Sequence, residues 1–111
     1  MSWKSGNIEH TDSAPTMADG LATRRAFRLT LGIMRDNLDD FILISEEEMK
    51  EAIRIYVDKT HHIAEGAGAA PLAAAMKIRD RLKGMKVAMV LSGGNLTTQM
   101  LKEILQGTAH G

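Results

Sequence analysis

The alternation of apolar and polar positions predicts four helices and two strands along the chain. The clearest signal is an apolar stripe between Met49 and Ala64, whose members recur at the three- and four-residue spacing of an α-helix. They are Met49, Ala52, Ile53, Tyr56, Val57, Thr60, Ile63 and Ala64. Ser45 and Glu48 stand three residues apart at its start, as a capping box requires. The acidic run at 46–48 suits the positive end of the helix dipole.

An earlier helix is predicted over residues 22–37. Its apolar side chains recur at helical spacing, and its beginning is basic. The apolar positions are Phe27, Leu31 and Met34, and the basic ones are Arg24, Arg25 and Arg28. These arginines could bind an anion, but a solvated basic face, or ion pairs with the acidic residues near Glu46, is the plainer interpretation.

Two further helices are predicted after the striped one. Gly66 and Gly68 should break the striped helix, and Pro71 should open the next, where a missing N–H costs nothing. That helix should end at Gly84, because glycine readily adopts the left-handed conformation that closes many helices. The last helix is predicted from about Thr97 to Leu105.

Two short apolar runs bounded by turn residues predict strands, at Asp40–Ile44 and at Lys86–Leu91. The second is continuously apolar after its first residue, which is typical of a strand buried on both faces. The element order is therefore α-β-α-α-β-α, and strands joined through helices should be parallel with a right-handed crossover. The predicted fold class is α/β, a fragment of an open parallel sheet with two strands per chain. Since two strands are too few for a stable sheet, we expect a homodimer to complete it.

The pattern contains no internal repeat and no convincing domain boundary. Residues 1–20 lack periodicity and collect Ser, Asp, Thr, Gly and Pro, so they are predicted to form a loop or a flexible arm. Residues 21–106 are predicted to fold as one unit, and residues 107–111 to form a tail.

Composition narrows the classes of function. The 111 residues carry fourteen basic and fourteen acidic side chains, which gives no reason to expect nucleic acid or an anionic membrane as a partner. The absence of cysteine excludes disulfides and thiolate metal sites and favours an intracellular location. No run reaches the roughly 20 apolar residues of a membrane span, and the N-terminus has no signal-peptide core. We therefore expect a soluble, cytoplasmic protein.

Two glycine-containing segments carry the candidate chemistry. Ser92-Gly93-Gly94-Asn95 follows the second predicted strand, at the end where open parallel sheets bind ligands. Its backbone N–H groups could cradle a ligand, or its glycines could serve turn geometry alone. Glu65 opens the segment E-G-A-G-A-A and is a candidate pocket carboxylate, although the glycine spacing excludes a dinucleotide fingerprint. His61 and His62 are adjacent, so they cannot chelate a metal as an i, i+4 pair would.

A family resemblance rests on five short segments. They are S-W-K-S-G at 2–6, T-M-A-D-G at 16–20, D-D-F-I-L-I-S-E-E-E at 39–48, E-G-A-G-A at 65–69 and L-S-G-G-N at 91–95. In this order they resemble the C-terminal part of the threonine/serine dehydratases, the fold-type II enzymes that use pyridoxal phosphate (PLP). The resemblance covers about residues 2–97 and is specific as a set, although each segment alone is weak.

The resemblance implies roles for the candidate residues. Ser92 matches the serine whose hydroxyl hydrogen-bonds the pyridine nitrogen of PLP, and a neutral hydroxyl there suits β-elimination. Gly93, Gly94 and Asn95 would shape the same wall of the pocket, and Glu65 matches a glutamate near the cofactor. The full-length relative would deaminate L-threonine or L-serine to a 2-oxo acid and ammonia. The partner implied for this chain is the N-terminal portion of such an enzyme, or a second copy.

Two motifs on which that chemistry depends do not occur in the 111 residues. The family holds PLP on a lysine in an S-x-K-x-R-G motif, and that lysine is also the acid/base. Its phosphate lies in an S-G-G-G-G-L loop. Lys4 is only a superficial match, since the following arginine is absent, and the carboxylates of the family's metal site lie upstream. We therefore expect the chain alone to bind no PLP or metal and to be catalytically inert.

Three interpretations are open at this point. The chain is a truncated product or an expressed fragment of the enzyme, a self-standing small α/β module that binds an anion or acts by association, or a subunit that complements a separately encoded N-terminal half. A neighbouring reading frame that carries the lysine and tetraglycine motifs would favour the last.

Overall fold

The computed structural model describes residues 1–107, and apart from Gly107 the predicted tail lies outside the described residues. Helices dominate this range. In chain order they are α1 (Ser2–Ser5), α2 (Arg28–Asn37), α3 (Glu46–Ile55), α4 (Gly66–Lys77), α5 (Arg79–Leu82) and α6 (Thr98–Gln106). A 3-10 turn at Asp19–Leu21 and a π-helical turn at Tyr56–Thr60 accompany them. None of these helices is long and apolar enough to cross a membrane.

The capping box predicted at the start of α3 is confirmed. The Ser45 hydroxyl accepts a hydrogen bond from the Glu48 N–H at 3.1 Å, and the Glu48 carboxylate accepts one from the Ser45 N–H at 2.7 Å. The stripe is buried at Met49, Ala52 and Ile53. The capping box thus correctly predicted where α3 begins, and the stripe correctly predicted which face of α3 is buried.

Beyond α3 the predicted stripe holds only in part: Tyr56 packs against the core, whereas Thr60 and Ile63 are exposed. The π-helical turn replaces the α-helical spacing, and the helix then ends at His61, whose φ is 59°. A π-turn adds a residue to the repeat, so the 3.6-residue period no longer predicts the buried face. Ile63 is consequently 49% exposed, whereas Ala64 is buried beyond the end of the helix.

The boundaries of two other helices also differ from the predictions. α4 begins at Gly66, with Glu65 as its N-cap, so the glycines open the helix and Pro71 lies inside it. The missing N–H of Pro71 removes only one helical hydrogen bond, and burial of this small-residue face offsets that loss. α2 begins at Arg28, after Phe27 in an extended conformation. Residues 22–27, which were predicted to begin this helix, are not helical. Among them, Arg25 forms an isolated antiparallel bridge with His10.

The two predicted strands do not form among residues 1–107. Residues 40–44 and 86–91 are non-helical and have no ladder partners. A strand exists only where a neighbouring strand supplies hydrogen-bond partners for its backbone, and neither segment supplies them to the other. The α/β prediction of a two-stranded parallel sheet is therefore not confirmed, and the described chain is mostly helical. The predicted order of the helices around these two segments is correct.

The core lies between α3, α4 and α6. It consists mainly of small side chains: Ala52, Ile53, Ala64, Ala69, Ala73 and Ile104. Ile44 and Leu91, at the ends of the two unpaired segments, pack against it. The Arg54 guanidinium donates to the Ile104 carbonyl at 2.8 Å and so ties α3 to the end of α6. Packing on α3 therefore holds together the segments that carry Glu65 and Ser92.

Residues 1–20, predicted as a loop or flexible arm, contain α1 and the start of the 3-10 turn. The Trp3 indole donates to the Met34 carbonyl at 3.4 Å, and the Trp3 ring lies 6.0 Å from that of Phe41. These contacts place α1 against α2. The division into arm, folded unit and tail stays a prediction.

Candidate functional site

The two glycine-containing motifs singled out in the sequence lie against each other. The Glu65 N–H donates to the Gly93 carbonyl at 3.1 Å. Gly68, in the first turn of α4, faces the same peptide: a Cβ added to Gly68 would lie 2.5 Å from the Gly93 oxygen. The Glu65 carboxylate lies over the Cα of Gly93, where a side chain on Gly93 would overlap it. Glycine is therefore required at 68, where the neighbouring atoms belong to the backbone, whereas a side chain at 93 would displace the Glu65 carboxylate.

The second glycine of the Ser-Gly-Gly-Asn turn is also constrained by a neighbouring backbone. A Cβ added to Gly94 would lie 2.5 Å from the Ile63 carbonyl oxygen. The Gly94 carbonyl accepts a hydrogen bond from the Leu96 N–H at 2.8 Å. The chain then enters α6, where the Thr97 hydroxyl accepts from the Met100 N–H at 3.2 Å. The close approach of the Ile63 carbonyl therefore explains why residue 94 is glycine, without reference to a ligand.

Three polar side chains of the candidate set lack partners within residues 1–107. Ser92 and Asn95 are exposed, and neither side chain forms a hydrogen bond there. The half-buried Glu65 carboxylate likewise forms no hydrogen bond or ion pair with a described residue. A serine hydroxyl both donates and accepts, and a carboxylate accepts. These groups are therefore free to bind a molecule placed at the Glu65–Gly93 contact.

A third segment, residues 16–21, covers the amino end of α4. Ala18 is only 2% exposed, and a Cβ added to Gly66 would lie 3.1 Å from the Ala18 Cβ. The Glu46 carboxylate accepts a hydrogen bond from the Met17 N–H at 3.1 Å. Sequence reasoning did not assign these residues to the site. The only sequence feature that could have identified them is the T-M-A-D-G segment at 16–20, which matched the family but suggested no contact with Glu65.

The other candidate positions lie elsewhere. A cavity of about 580 Å³ between α1 and α2 is lined by aromatic and basic side chains, including Trp3, Phe27 and Arg25, and by none of the candidate site residues. Arg24, Arg25 and Arg28 are exposed, as a solvated basic face requires. The predicted alternative of ion pairs with the glutamates at 46–48 is wrong, because Lys50 and Lys77 form those pairs in the described chain. No group of three or more potential metal ligands occurs within residues 1–107.

Comparison with known proteins assigns this arrangement to a family. Residues 1–93 match the family described as pyridoxal-phosphate dependent enzyme. The chain is 36% identical over 104 residues to the L-threonine ammonia-lyase of Thermotoga maritima, an alignment that covers 94% of this chain and 26% of the relative. It is 29% identical over 104 residues to the serine racemase of Schizosaccharomyces pombe, with 94% and 32% covered.

Solved structures agree with the sequence comparison. The T.th. threonine deaminase matches with a TM-score of 0.80 and 35% identity, over 86% of this chain and 34% of that one. Maize serine racemase matches with a TM-score of 0.80 and 27% identity, over 96% and 35%. The chain spans about a quarter to a third of the length of these relatives. The chain therefore belongs to the pyridoxal-phosphate-dependent enzymes of fold type II, among the threonine-dehydratase-like members.

Proposed function

We propose that this chain forms one wall of the cofactor site in an enzyme that deaminates L-threonine or L-serine to a 2-oxo acid and ammonia. The observation that carries the proposal is the hydrogen bond of 3.1 Å between the Glu65 N–H and the Gly93 carbonyl. It joins the E-G-A-G and S-G-G-N motifs into one surface. Both motifs match segments of threonine dehydratases, so their contact is what a shared site requires.

The residues at this surface fit the ring of PLP. The exposed Ser92 hydroxyl, which forms no hydrogen bond within residues 1–107, can donate one to the pyridine nitrogen. Gly94 and Asn95 beside it are also exposed, so a flat ring can approach this edge of the turn. When bound, PLP supplies the electron sink for elimination from the amino acid. The role of Ser92 is to orient the ring while leaving its nitrogen largely unprotonated.

The same surface does not supply the rest of the cofactor site. The sequence contains neither the S-x-K-x-R-G motif nor the tetraglycine phosphate loop, so no residue here takes the role of Schiff-base lysine. We propose that the chain alone is inert and that these parts come from the portion of the enzyme equivalent to the remaining length of the relatives, on the same or a separate polypeptide. Glu65 and Asn95 would then border the completed pocket.

The unpaired segments support such an association. Residues 40–44 and 86–91 have no ladder partners within the described chain, and Leu43 and Val90 are 76% and 73% exposed. Unpaired backbone next to exposed apolar side chains is a template for strand pairing. In this proposal the partner's strands complete the sheet. A second copy of this chain is the alternative occupant, and it would give a homodimer without activity.

Complementation tests this function. The chain is mixed with the part of Thermotoga maritima L-threonine ammonia-lyase that precedes its matching segment, together with PLP and L-threonine, and 2-oxo acid is measured. We expect product from the mixture and none from either polypeptide alone. Product from the chain alone would overturn its proposed inertness. A stable complex that binds no PLP would overturn the role of this surface as a cofactor wall.

Two matched variants make the test specific. Ser92→Ala removes the hydroxyl assigned to the ring nitrogen, and Ser13→Ala removes an exposed hydroxyl from the N-terminal segment, outside the candidate site. Only the first should lower turnover in the complemented enzyme. Size measurements of the chain with and without the partner distinguish the complex from a homodimer.

A further inference from the structure

The three glutamates at the start of α3 have three different tasks. Glu47 is exposed and forms an ion pair with Lys50 at 2.8 Å, within the same helix. Glu48 closes the capping box with Ser45. Glu46 is half-buried, and its carboxylate accepts the Met17 N–H at 3.1 Å, a contact between distant parts of the chain. Glu48 also pairs with Lys77 of α4 at 3.2 Å, so Glu46 differs from the other two in holding a backbone N–H of another segment.

The segment that Glu46 holds is itself ordered by local hydrogen bonds. The Thr16 hydroxyl accepts from the Ala18 N–H at 3.1 Å, and the Ala18 carbonyl accepts from the Leu21 N–H at 2.8 Å. These bonds fold residues 16–21 into a compact turn. The hydrogen bond from Met17 to Glu46 is charge-assisted and so stronger than a neutral one. It joins this turn to the amino end of α3.

The turn is pressed onto the first residues of α4. Ala18 is 2% exposed, and a Cβ added to Gly66 would lie 3.1 Å from the Ala18 Cβ. A Cβ on Gly20 would lie 3.4 Å from the Ala67 Cβ. Glu65, the N-cap of α4, immediately precedes Gly66 in the chain, and its N–H donates to the Gly93 carbonyl. Residues 16–21 therefore adjoin the surface formed by Glu65 and Gly93.

We propose that Glu46 is a positioning residue of the cofactor site. By holding the Met17 N–H, it keeps residues 16–21 in place as a third side of the surface formed by Glu65 and Gly93. The cofactor part of this inference rests on the proposed function, whereas the holding part concerns the chain alone. Each part has its own experiment.

Amide hydrogen exchange in the isolated chain tests the holding part. Glu46→Ala removes the acceptor, so the Met17 amide should exchange about tenfold faster or more. Glu46→Gln keeps an oxygen acceptor and should restore most of the protection. Glu47→Ala, in the same first turn of α3, is the matched control and should leave the Met17 amide unchanged. Equal exchange at Met17 in Glu46→Ala and the parent would overturn the contact.

The complemented enzyme tests the cofactor part. Glu46→Ala should raise the PLP concentration that gives half-maximal activity about tenfold, with Glu46→Gln in between and Glu47→Ala at the parent value. A residue with only a structural role would lower Tm without changing this requirement. Faster exchange at Met17 with an unchanged PLP requirement would therefore overturn the positioning role. An inactive complemented parent would overturn the proposed function and with it the cofactor role, while the exchange comparison still decides the contact.

Discussion

Gly68 offers the sharpest test of the contact between the two motifs. In Gly68→Ala the new Cβ would lie 2.5 Å from the Gly93 oxygen and 3.2 Å from the Gly93 nitrogen. Both atoms belong to the backbone, so no flexible side chain can move aside. Either α4 or the 92–95 turn must shift, and the hydrogen bond from the Glu65 N–H to the Gly93 carbonyl is then strained or lost.

The magnitude follows from opposing terms. Overpacking a close contact costs about 1–3 kcal/mol, and loss of a neutral hydrogen bond adds about 0.5–1.5 kcal/mol. Replacing glycine by alanine in a helix returns at most about 1 kcal/mol. With the full glycine-to-alanine gain subtracted, the net destabilisation of Gly68→Ala is about 0.5–3.5 kcal/mol. For a chain of this size the midpoint Tm should fall by roughly 5–15 °C.

Gly32 is the matched control, because it also lies in a helix. A Cβ added to Gly32 meets nothing within 4 Å, so Gly32→Ala should raise stability by about 0.5–1 kcal/mol. Thermal unfolding followed by circular dichroism, at several protein concentrations, compares the two variants with the parent. The reasoning fails if Gly68→Ala melts at or above the parent temperature while Gly32→Ala shows the expected gain.

Three further outcomes are expected. Ser92→Ala should lower kcat/KM of the complemented enzyme about two- to tenfold, the equivalent of 0.5–1.5 kcal/mol, with Tm unchanged; equal activity would remove Ser92 from the site. Ile53 is 0% exposed, so Ile53→Asp should unfold the chain because it buries a charge in the core. Ile33→Asp, at a position that is 56% exposed, is the control and should leave the chain folded. An Ile53→Asp monomer that melts cooperatively would contradict this prediction. The hydrogen bond from the Ser45 N–H, and then Lys77, lower the pKa of Glu48. The resulting stability is present above the ordinary glutamate pKa of about 4.3 and is lost as pH falls through the lowered pKa. Glu48→Gln should flatten this part of the acid unfolding profile, and an unchanged profile would refute the assignment.

The sequence predicted those features that depend on neighbours along the chain. The capping box at Ser45 and Glu48 and the buried face of α3 at Met49, Ala52 and Ile53 are examples. Both depend on contacts within one or two helical turns, which spacing reports directly. The start of α4 was predicted wrongly because Gly66 and Gly68 were interpreted as breaking the preceding helix and Pro71 as opening the next. Close packing of small residues overrides that local preference.

The candidate site shows the same division. The family and the motifs at 65–69 and 91–95 were recognisable from residue identity and order alone. Their contact, and the requirement for glycine at 68, come from the approach of two backbones distant in sequence. The hydrogen bond between Glu46 and Met17 was not foreseeable, because three adjacent glutamates look alike until the fold places one of them beside another segment.

The sequence by itself determined the family, the order of the helices and the local start of α3, since these depend on residue identity and short-range spacing. Only the tertiary structure decided whether the apolar runs at 40–44 and 86–91 become strands. A strand is defined by hydrogen bonds to a neighbour, and within residues 1–107 neither run has one. An apolar pattern predicts that a segment tends to be buried, but it does not identify the segment that will bury it. The partner that buries it is a property of the assembled fold.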